Sequence, residues 1–359
     1  METSRPIVTV GLAVYNGEHY ITQAISSVLS ERYQNWELLI VDDGSKDGST
    51  AIIKSFADPR IRLLTNTSNQ GLVAVRNRIL SEANGRYLAW LDQDDLSYPE
   101  RLTRQVTYLE RNSECSVVGS WTENLGPGGR QGRRPSIHRY PTSNDCIRSS
   151  MLFLNPIACS SVCMRLSDFR ERGLAFRQQY GNCLDFDLWS QASDVLAFAN
   201  LPRVLAAYHY HSGQTSRGPE LQRMHAHTIQ IQRELAARTL GISGADFDEH
   251  AHVLACISPV DVPDTLALQR IAEWFRAIRI ANVTTRAFDP GALDQSLARQ
   301  WFTASFSLRL EGRSPLRRSK FSIQGARHIG LSLTTIERAI TSGIRRRASR
   351  GLLDEDAAQ

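Results

Sequence analysis

The chain has 359 residues, of which 42% are hydrophobic and 22% charged. This balance is typical of globular proteins and excludes a disordered or fibrous chain, and the length predicts two domains or one domain with an extension. The six cysteines form no C-x-x-C pair, and Met1–Pro6 lacks the apolar core of a secretory signal. We therefore expect a cytoplasmic protein. We also expect no membrane span, because no apolar run approaches the about 20 residues that cross a bilayer.

Positive charge is concentrated near the C-terminal end. The net charge of the chain is +5, whereas residues 313–350 carry nine arginines and one lysine against the single acid Glu337, a local balance of +9. Such a run is either a solvated surface or a peripheral contact with an anionic membrane, and both interpretations stay open. Nucleic acid is disfavoured as a partner because Phe321 is the one aromatic residue in the run that can stack on a base.

The N-terminal part alternates between short apolar runs rich in β-branched residues and segments with helical periodicity. Asn16-Gly17 marks a turn after the first run, and Gly85 is placed to end a helix as a C-terminal glycine does. Strands that alternate with helices predict a mostly parallel sheet. The pattern predicts strands at 7–14, 37–41, 61–64 and 87–91, and helices at 20–29 and 72–84.

Acidic residues follow two of these strands at their carboxyl ends. Asp42 and Asp43 follow the second strand, and Asp92, Asp94 and Asp95 follow the fourth. Ligands of parallel sheets bind in the crevice beyond the carboxyl ends of the strands. The sequence therefore predicts that the two acidic loops converge on one crevice.

The segment Asp92-Gln93-Asp94-Asp95 places three carboxylates within four residues. They repel one another unless a cation or several hydrogen-bond donors offset the charge. Oxygen ligands of this kind suit Mn2+ or Mg2+, which proteins commonly hold through one or two carboxylates together with substrate phosphates. A turn that caps a helix before Pro99 is the alternative. The position after a buried strand, together with the second acidic loop, favours the metal site.

Further helices and strands follow, and beyond Arg217 the sequence pattern becomes mainly helical. Helical segments beyond Arg217 lack the glycine-rich acidic loops of the first part. We therefore predict a catalytic domain over residues 1–217 and a mainly helical region with a basic tail over 218–359. The predicted elements are helices at 101–111, 185–193, 225–240 and 266–280, strands at 117–118 and 204–210, and a mobile loop rich in glycine and arginine at 126–134.

Four segments, in this order, resemble the family 2 glycosyltransferases, a large inverting group with a GT-A-type nucleotide-binding fold. They are Val10–Asn16, Val41–Ser49, Asn69–Gly71 with Arg76-Asn77, and Leu91–Asp95 before Pro99. Order and spacing are family-like over about residues 5–217. The resemblance implies an α/β fold with a GT-A-type, Rossmann-like, mostly parallel sheet flanked by helices.

The resemblance also implies roles on the donor side. Asp94 would be the principal ligand of Mn2+ or Mg2+, and His211 in the segment Tyr208–Ser216 can reach the metal or the diphosphate. A structural aromatic at Tyr15 and a plain hydrogen-bonding role for His211 are the alternatives. The nucleotide sugar would be bound by Ala13, Tyr15, Asp43 or its neighbour Asp42, Arg76 near the diphosphate, and Asp92.

The general base is implied by Asn182–Trp189, where the family usually has a Glu-Asp pair. Asp185 matches the aspartate, and Leu184 stands in place of the glutamate, which removes a carboxylate that could raise the pKa of the base. Capping of a helix is the structural alternative for Asp185. Asp187 follows two residues later and cannot share its helical face. Asn155–Ser161 resembles the acceptor-side strand and turn of the family.

These parts predict a single displacement with inversion at the sugar. The expected donor is a UDP- or dTDP-sugar, and the expected acceptor is a saccharide or lipid-linked saccharide in bacterial cell-surface polysaccharide or glycolipid synthesis. A catalytically inactive sugar-nucleotide-binding or scaffolding protein is the alternative. An oxidoreductase is disfavoured because the first turn lacks G-x-G-x-x-G, and a nucleotidyltransferase because no phosphate loop rich in glycine and arginine follows the first strand.

Overall fold

The structure is a computed structural model that describes residues 6–126, 136–181, 183–209, 219–243, 265–307, 325–332 and 334–336. The chain divides into two compact units. Met1–Ile147 with Asn155–Met224 forms the first, and Arg148–Leu154 with His225–Gln359 forms the second. Apart from Gly126, the predicted loop at 126–134 lies outside the described residues.

The described part of the first unit contains a nine-stranded sheet of order β3-β2-β1-β4-β8-β6-β9-β5, with β7 beside β6. Strands β1 to β4 are mutually parallel, and β6 pairs parallel with β9, whereas β5, β7 and β8 join in antiparallel pairs. The strands are β1 Val8–Val14, β2 Trp36–Asp42, β3 Ile61–Thr65, β4 Tyr87–Asp92, β5 Leu96–Ser97, β6 Cys115–Leu125, β7 Ser136–His138, β8 Cys163–Arg165 and β9 Ala197–His209.

Along the chain, helices alternate with the strands in the first unit and make up most of the described part of the second unit. In the first unit they are α1 Ile21–Leu29, α2 Ser49–Ser55, α3 Leu72–Glu82, α4 Arg101–Arg111, α5 Asn144–Ser150, α6 Leu166–Glu171 and α7 Leu184–Ala192. Helix α5 ends in the second unit, and α8 continues into it. The remaining helices are α8 Pro219–Leu240, α9 Thr265–Thr285 and α10 Pro290–Ser307.

Continuous apolar runs build the parallel part of the sheet. Strands that are covered on both faces read as uninterrupted hydrophobic sequence, and Leu12, Leu38 and Ile40 are fully buried in this way. Helix α1 packs its apolar side on the same core through Ile21 and Ile25. The predicted α/β fold is confirmed, and β1 to β4 begin and end within one residue of the predicted bounds.

The prediction that Gly85 ends a helix is wrong. Helix α3 ends at Glu82, Ala83 is extended, and Gly85 is absent from the glycines with positive φ. A Cβ atom at Gly85 would lie 2.4 Å from the Thr9 nitrogen and 2.8 Å from the Val8 carbonyl carbon. The glycine therefore allows the chain to pass close to the backbone of β1 before it enters β4.

Strands β6 and β9 are much longer than the strands predicted at 117–118 and 204–210. Strand β6 buries polar side chains such as Ser120, Thr122 and Glu123, so its sequence shows no continuous apolar run. Strand β9 contains Pro202, and its pairing with β6 shifts register nearby. Proline and register shifts interrupt a strand pattern without ending the strand.

The second unit has a core of its own. Trp274 and Phe275 of α9 and Trp301 of α10 are buried, and the Phe153 ring lies 5.3 Å from the Phe275 ring. The serine hydroxyls of Ser149 and Ser296 are 2.8 Å apart. Among the helices that the structure describes, none combines the length and apolarity needed to cross a bilayer.

Candidate active site

The loops that follow β1 and β2 are joined by side chains that bind backbone N–H groups. Asn16 N–H donates to the Ser45 hydroxyl at 3.0 Å, and Gly17 N–H donates to the Ser49 hydroxyl at 2.8 Å. In return, the Asn16 side-chain oxygen accepts from Lys46 N–H at 2.9 Å. The carboxyl ends of these two strands therefore carry one connected loop structure.

Asp42 is buried at the end of β2, and both of its carboxylate oxygens are engaged. Oδ1 accepts the Ser45 N–H at 3.1 Å and the Ser45 hydroxyl at 2.5 Å. Oδ2 accepts the Thr50 hydroxyl at 2.5 Å. The described contacts of Asp42 thus hold the loop between β2 and α2.

Asp43 holds the next loop along the sheet. Its Oδ1 accepts the Asn66 side-chain amide at 2.7 Å and Gln70 N–H at 2.9 Å, and its Oδ2 accepts Gly71 N–H at 2.8 Å. Gly71 has a φ of +88°, a conformation that a side chain would strain. Asp43 therefore fixes the loop from which α3 begins. Three hydrogen bonds leave its carboxylate further acceptor capacity for a ligand.

Tyr15 and Ala13 lie where β1 meets the second acidic loop. Ala13 is opposite both Val41 and Asp92 in the sheet register. The Tyr15 side chain is 42% exposed, and its backbone N–H donates to Gln93 Oε1 at 3.0 Å. The chain after β1 is thus bonded to the loop after β2 and to the loop after β4. An exposed ring at this edge is available to stack on a base.

Arg76 of α3 lies at the centre of the site. Its side chain is 6% exposed, Nη2 donates to Asp92 Oδ1 at 2.5 Å, and Nη1 donates to Cys159 Sγ at 2.8 Å. Ser160 Oγ donates to the other oxygen of Asp92 at 2.9 Å. Burial would lower the pKa of Arg76, but its contact with the Cys159 sulfur and the negative charges of Asp92 and Asp185 raise it above its usual value. The guanidinium therefore stays charged.

Asp185 lies in the first turn of α7 and belongs to the same cluster. Asn155 Nδ2 donates to Asp185 Oδ2 at 2.9 Å. Burial raises the pKa of Asp185 above its usual value, the Arg76 charge and the Phe186 N–H lower it, and the Asp92 charge raises it. The predicted base Asp185 and the predicted nucleotide-binding acid Asp92 thus both interact with Arg76.

A buried ion pair fixes the helix that carries Asp185. Asp187 is fully buried, and its carboxylate accepts the Arg177 guanidinium through Nε at 2.9 Å and through Nη2. Gln191, one turn further along α7, donates to the same carboxylate at 2.9 Å. The two acids of α7 therefore have different surroundings. Asp187 is bound to its own helix and the preceding loop, and Asp185 belongs to the cluster around Arg76.

The end of β9 is bound to the second acidic loop. His209 N–H donates to Asp95 Oδ1 at 3.2 Å, and His209 Nδ1 lies 2.6 Å from the Asp94 carbonyl oxygen. Asp95 is fully buried, and burial together with the charges of Asp94 and Asp92 raises its pKa well above the usual value. His211, the predicted second metal ligand, lies outside the described residues.

Comparison with known proteins identifies this arrangement. Residues 9–172 match the family described as Glycosyl transferase family 2. An uncharacterized glycosyltransferase of Haemophilus influenzae is 34% identical over 218 residues, which cover 59% of this chain and 68% of that protein. The chain belongs to glycosyl transferase family 2. It is a glycosyltransferase, as the sequence motifs predicted.

The chain is also similar to a named bacterial glucosyltransferase and to a solved glycosyltransferase structure. The Escherichia coli protein named UDP-Glc:alpha-D-GlcNAc-diphosphoundecaprenol beta-1,3-glucosyltransferase WfgD is 39% identical over 115 residues, which are 32% of this chain and 46% of that protein. The crystal structure of S. aureus TarS in complex with UDP-GlcNAc superposes with a TM-score of 0.53 at 15% identity, over 84% of this chain and 88% of that one. The second likeness confirms the GT-A-type fold.

The acidic loop of the transferase fits a divalent cation that is shared with a substrate. Its aspartate oxygens are the donors that Mn2+ and Mg2+ prefer. Asp95 Oδ2 is buried and accepts no hydrogen bond within the described part of the chain, so the loop keeps an oxygen that no protein donor satisfies. No three acidic, histidine or cysteine side chains in that part are arranged as a complete metal site. A metal ion here would need substrate oxygens as further ligands.

The structure adds two residues that sequence reasoning missed. Cys159 contacts Arg76 directly, and burial raises the pKa of its thiol, so the thiol is neutral. Burial also raises the pKa of Tyr140, with smaller upward contributions from the charges of Asp185 and Asp95. Tyr140 lies outside the family-like segments. Cys159 lies within Asn155–Ser161, but its contact with Arg76 joins distant parts of the chain, so no local sequence pattern indicated it.

Proposed function

We propose that the transferase moves a sugar with inversion from a nucleoside diphosphate donor, of UDP or dTDP type, to an acceptor hydroxyl, and that residues 1–217 carry this reaction. The supporting observation is the cluster around Arg76. Asp92 from the end of β4 and Asp185 from the start of α7 interact with the same guanidinium. A donor-side acid and a proton acceptor thus share one site, as a single displacement requires.

On the donor side, the nucleoside would lie against the edge formed by β1 and the loops after β2 and β4. Tyr15 would stack on the base, with Ala13 at the pocket floor, and Asp43 would accept from a base N–H or a ribose hydroxyl. Asp92 would face the nucleotide, and Arg76 would hold Asp92 in place. The engaged oxygens of Asp42 support a loop-forming role for that residue.

Asp94 would hold Mn2+ or Mg2+, with His211 as a second ligand. When bound, the ion would neutralise charge on the departing diphosphate. Burial raises the pKa of Asp95, and the charges of Asp94 and Asp92 raise it further, which supports a loop that a bound cation would stabilise. Asp185 would accept the proton of the attacking hydroxyl. Its pKa lies above that of an ordinary aspartate, which makes it a better base.

The acceptor is a saccharide or a lipid-linked saccharide in bacterial cell-surface polysaccharide or glycolipid synthesis. The similarity to WfgD, named for action on a sugar diphosphoundecaprenol, supports this setting. The basic run at 313–350 would bring the enzyme to anionic lipid at the inner face of the membrane. Liposome sedimentation of the full chain and of a form ending at Glu311 tests this contact, and equal binding by both forms contradicts it.

A panel of nucleotide sugars, assayed with Mn2+ or Mg2+ for release of the nucleoside diphosphate, tests the function. We expect one donor to be used, in reactions that Asp94→Ala and Asp185→Ala abolish. Donor binding without transfer or hydrolysis, under all conditions and with an acceptor extract present, would instead identify an inactive binding protein. Product anomeric configuration, read by NMR, tests inversion.

A further inference from the structure

We propose that Asn155 is the positioning residue for the general base, an inference that rests on the proposed role of Asp185. Asn155 lies 30 residues before Asp185 in the chain, and its side-chain amide donates to Asp185 Oδ2 at 2.9 Å. A neutral donor at this distance stabilises the ionised carboxylate and fixes which oxygen faces the acceptor.

The orientation of the Asn155 amide is determined by a second hydrogen bond. Its Oδ1 accepts the backbone N–H of Ile157 at 3.3 Å, so the amide nitrogen must be the end that faces Asp185. Ile157 is fully buried, and Pro156 restricts the backbone of Asn155 to extended conformations. The donor is therefore held in place before substrate binds.

The turn that carries Asn155 is itself anchored from the core of the sheet. Asn200 of β9 is 2% exposed and donates to the Pro156 carbonyl at 3.1 Å. The same amide donates to the Pro141 carbonyl at 2.7 Å, next to Tyr140. Two turns on the acceptor side of Asp185 are thus fastened to one buried side chain. Asn155 projects from a rigid support.

Several charged or titratable groups face Asp185 besides Asn155. They are the Arg76 guanidinium of α3, the Asp92 carboxylate of β4, the Cys159 thiol and the Tyr140 hydroxyl. Arg76 also binds Asp92, so its charge is shared between two acids. Asn155 supplies a donor without a change of charge, and it acts on the base rather than on the donor-side acid.

The pH profile of kcat/KM for the acceptor, measured with the donor found in the panel, tests this role. The base acts in its ionised form, so activity rises with pH as Asp185 loses its proton. Asn155→Ala removes a donor to that form, which raises the pKa of Asp185 and moves the acidic limb up by about one pH unit. Asn155→Asp replaces the donor with a like charge, and we expect a larger upward movement. The donor KM should stay within about twofold in both variants.

Asn282 offers a matched control in the second unit. It donates to the Phe288 carbonyl at 2.9 Å and accepts the Phe288 N–H at 2.9 Å, the same pattern of one donated and one accepted bond. Asn282→Ala should lower the thermal midpoint and leave the pH profile where it is. Thermal unfolding of all variants separates a loss of folding from a shift of the base, and Asn155→Asp, which keeps the side-chain size, covers the case in which Asn155→Ala unfolds.

Acidic limbs that stay at the parent position in both Asn155 variants would overturn the inference. The proposed function fails in a different way, namely if Asp185→Asn keeps parent activity. If Asp185→Asn is inactive but the acidic limbs of the Asn155 variants do not move, Asp185 remains the proposed base and Asn155 is not its positioning residue.

Discussion

Two groups of acids end two neighbouring parts of the sheet, and their surroundings differ. Asp42 and Asp43 after β2 are buried and together accept six hydrogen bonds from their own and the next loop. Asp92 after β4 is 34% exposed at its side chain and shares one buried arginine with Asp185. The first group is held mainly by hydrogen-bond donors of the surrounding loops, whereas the second is balanced by the charge of an arginine.

This difference separates acids whose contacts hold loops from acids whose charge depends on a shared arginine. A carboxylate that accepts three hydrogen bonds from a loop mainly stabilises the conformation of that loop. A carboxylate that depends on a shared cation responds to any new charge in the site, and a diphosphate or a metal ion brings such a charge. The two acidic sequences look alike, and only the surroundings distinguish them.

The largest expected effect comes from removal of the shared charge. Arg76→Met should reduce transfer by about 10²-fold or more, because Asp92 and Asp185 would then face each other without a cation. Stability should fall by about 1–3 kcal/mol, less than for a fully buried pair because Asp92 is partly exposed. Steady-state kinetics and urea unfolding measure both quantities. Transfer at the parent rate in a folded Arg76→Met protein would contradict the central place of Arg76.

Asp42, whose two oxygens both hold the loop after β2, should respond in the opposite sense, with more loss of stability than of activity. Asp42→Asn replaces one acceptor oxygen by an amide that cannot accept from Ser45 or Thr50, and we expect a loss of about 1–3 kcal/mol. The kcat of the folded fraction should stay within several-fold of the parent value. A loss of kcat by orders of magnitude at unchanged stability would remove the distinction between the two groups.

A smaller effect is expected where the loops after β1 and β4 meet. A Cβ atom at Gly17 would lie 2.5 Å from Gln93 Oε1, which is the flexible end of a side chain that can move away. Gly17→Ala should therefore cost little stability but loosen the bond from Gln93 to Tyr15. We expect the donor KM to rise by several-fold at unchanged kcat. Unchanged kinetics would show that this bond does not shape the nucleotide pocket.

The smallest effect should come from a surface ion pair far from either group. Arg104 and Glu100 pair one helical turn apart, with side chains 35% and 42% exposed. Solvent-exposed pairs of this kind contribute little to stability. Arg104→Met should leave both the thermal midpoint and the transfer rate at the parent values. It serves as the control for Arg76→Met, since both remove an arginine from an ion pair.

The parallel half of the fold follows closely from its sequence, because each strand there is a continuous apolar run that ends in a loop signal. The mixed half does not. Strand β6 buries Ser120 and Glu123 because partners outside the strands satisfy them. The Tyr98 hydroxyl donates to Glu123, and Ser120 N–H donates to the Ser161 hydroxyl; such partners cannot be read from a local pattern. Gly85 shows the same limit. It allows the chain to pass close to the backbone of β1, and it does not end a helix.

For the site, motif order predicted the acids but not their partners. Asp92 and Asp185 are 93 positions apart. The resemblance predicted Arg76 near the diphosphate, whereas its bond to Asp92 is recognisable only when α3 is placed beside β4. Asn155 begins the family-like segment Asn155–Ser161, but that resemblance does not indicate its bond to Asp185. Tyr140 lies outside every such segment, and Asn200 holds both turns through the Pro141 and Pro156 carbonyls. His211 stays a prediction, because it lies outside the described residues.

The most direct test is a crystal structure with Mn2+ and the nucleoside diphosphate that the donor panel identifies. The account predicts an anomalous manganese peak beside the Asp94 carboxylate, with the diphosphate next to it and the Asp185 carboxylate facing the vacant sugar position. A nucleotide bound on another face, with Asp94 and Asp185 far from the phosphates, would contradict it.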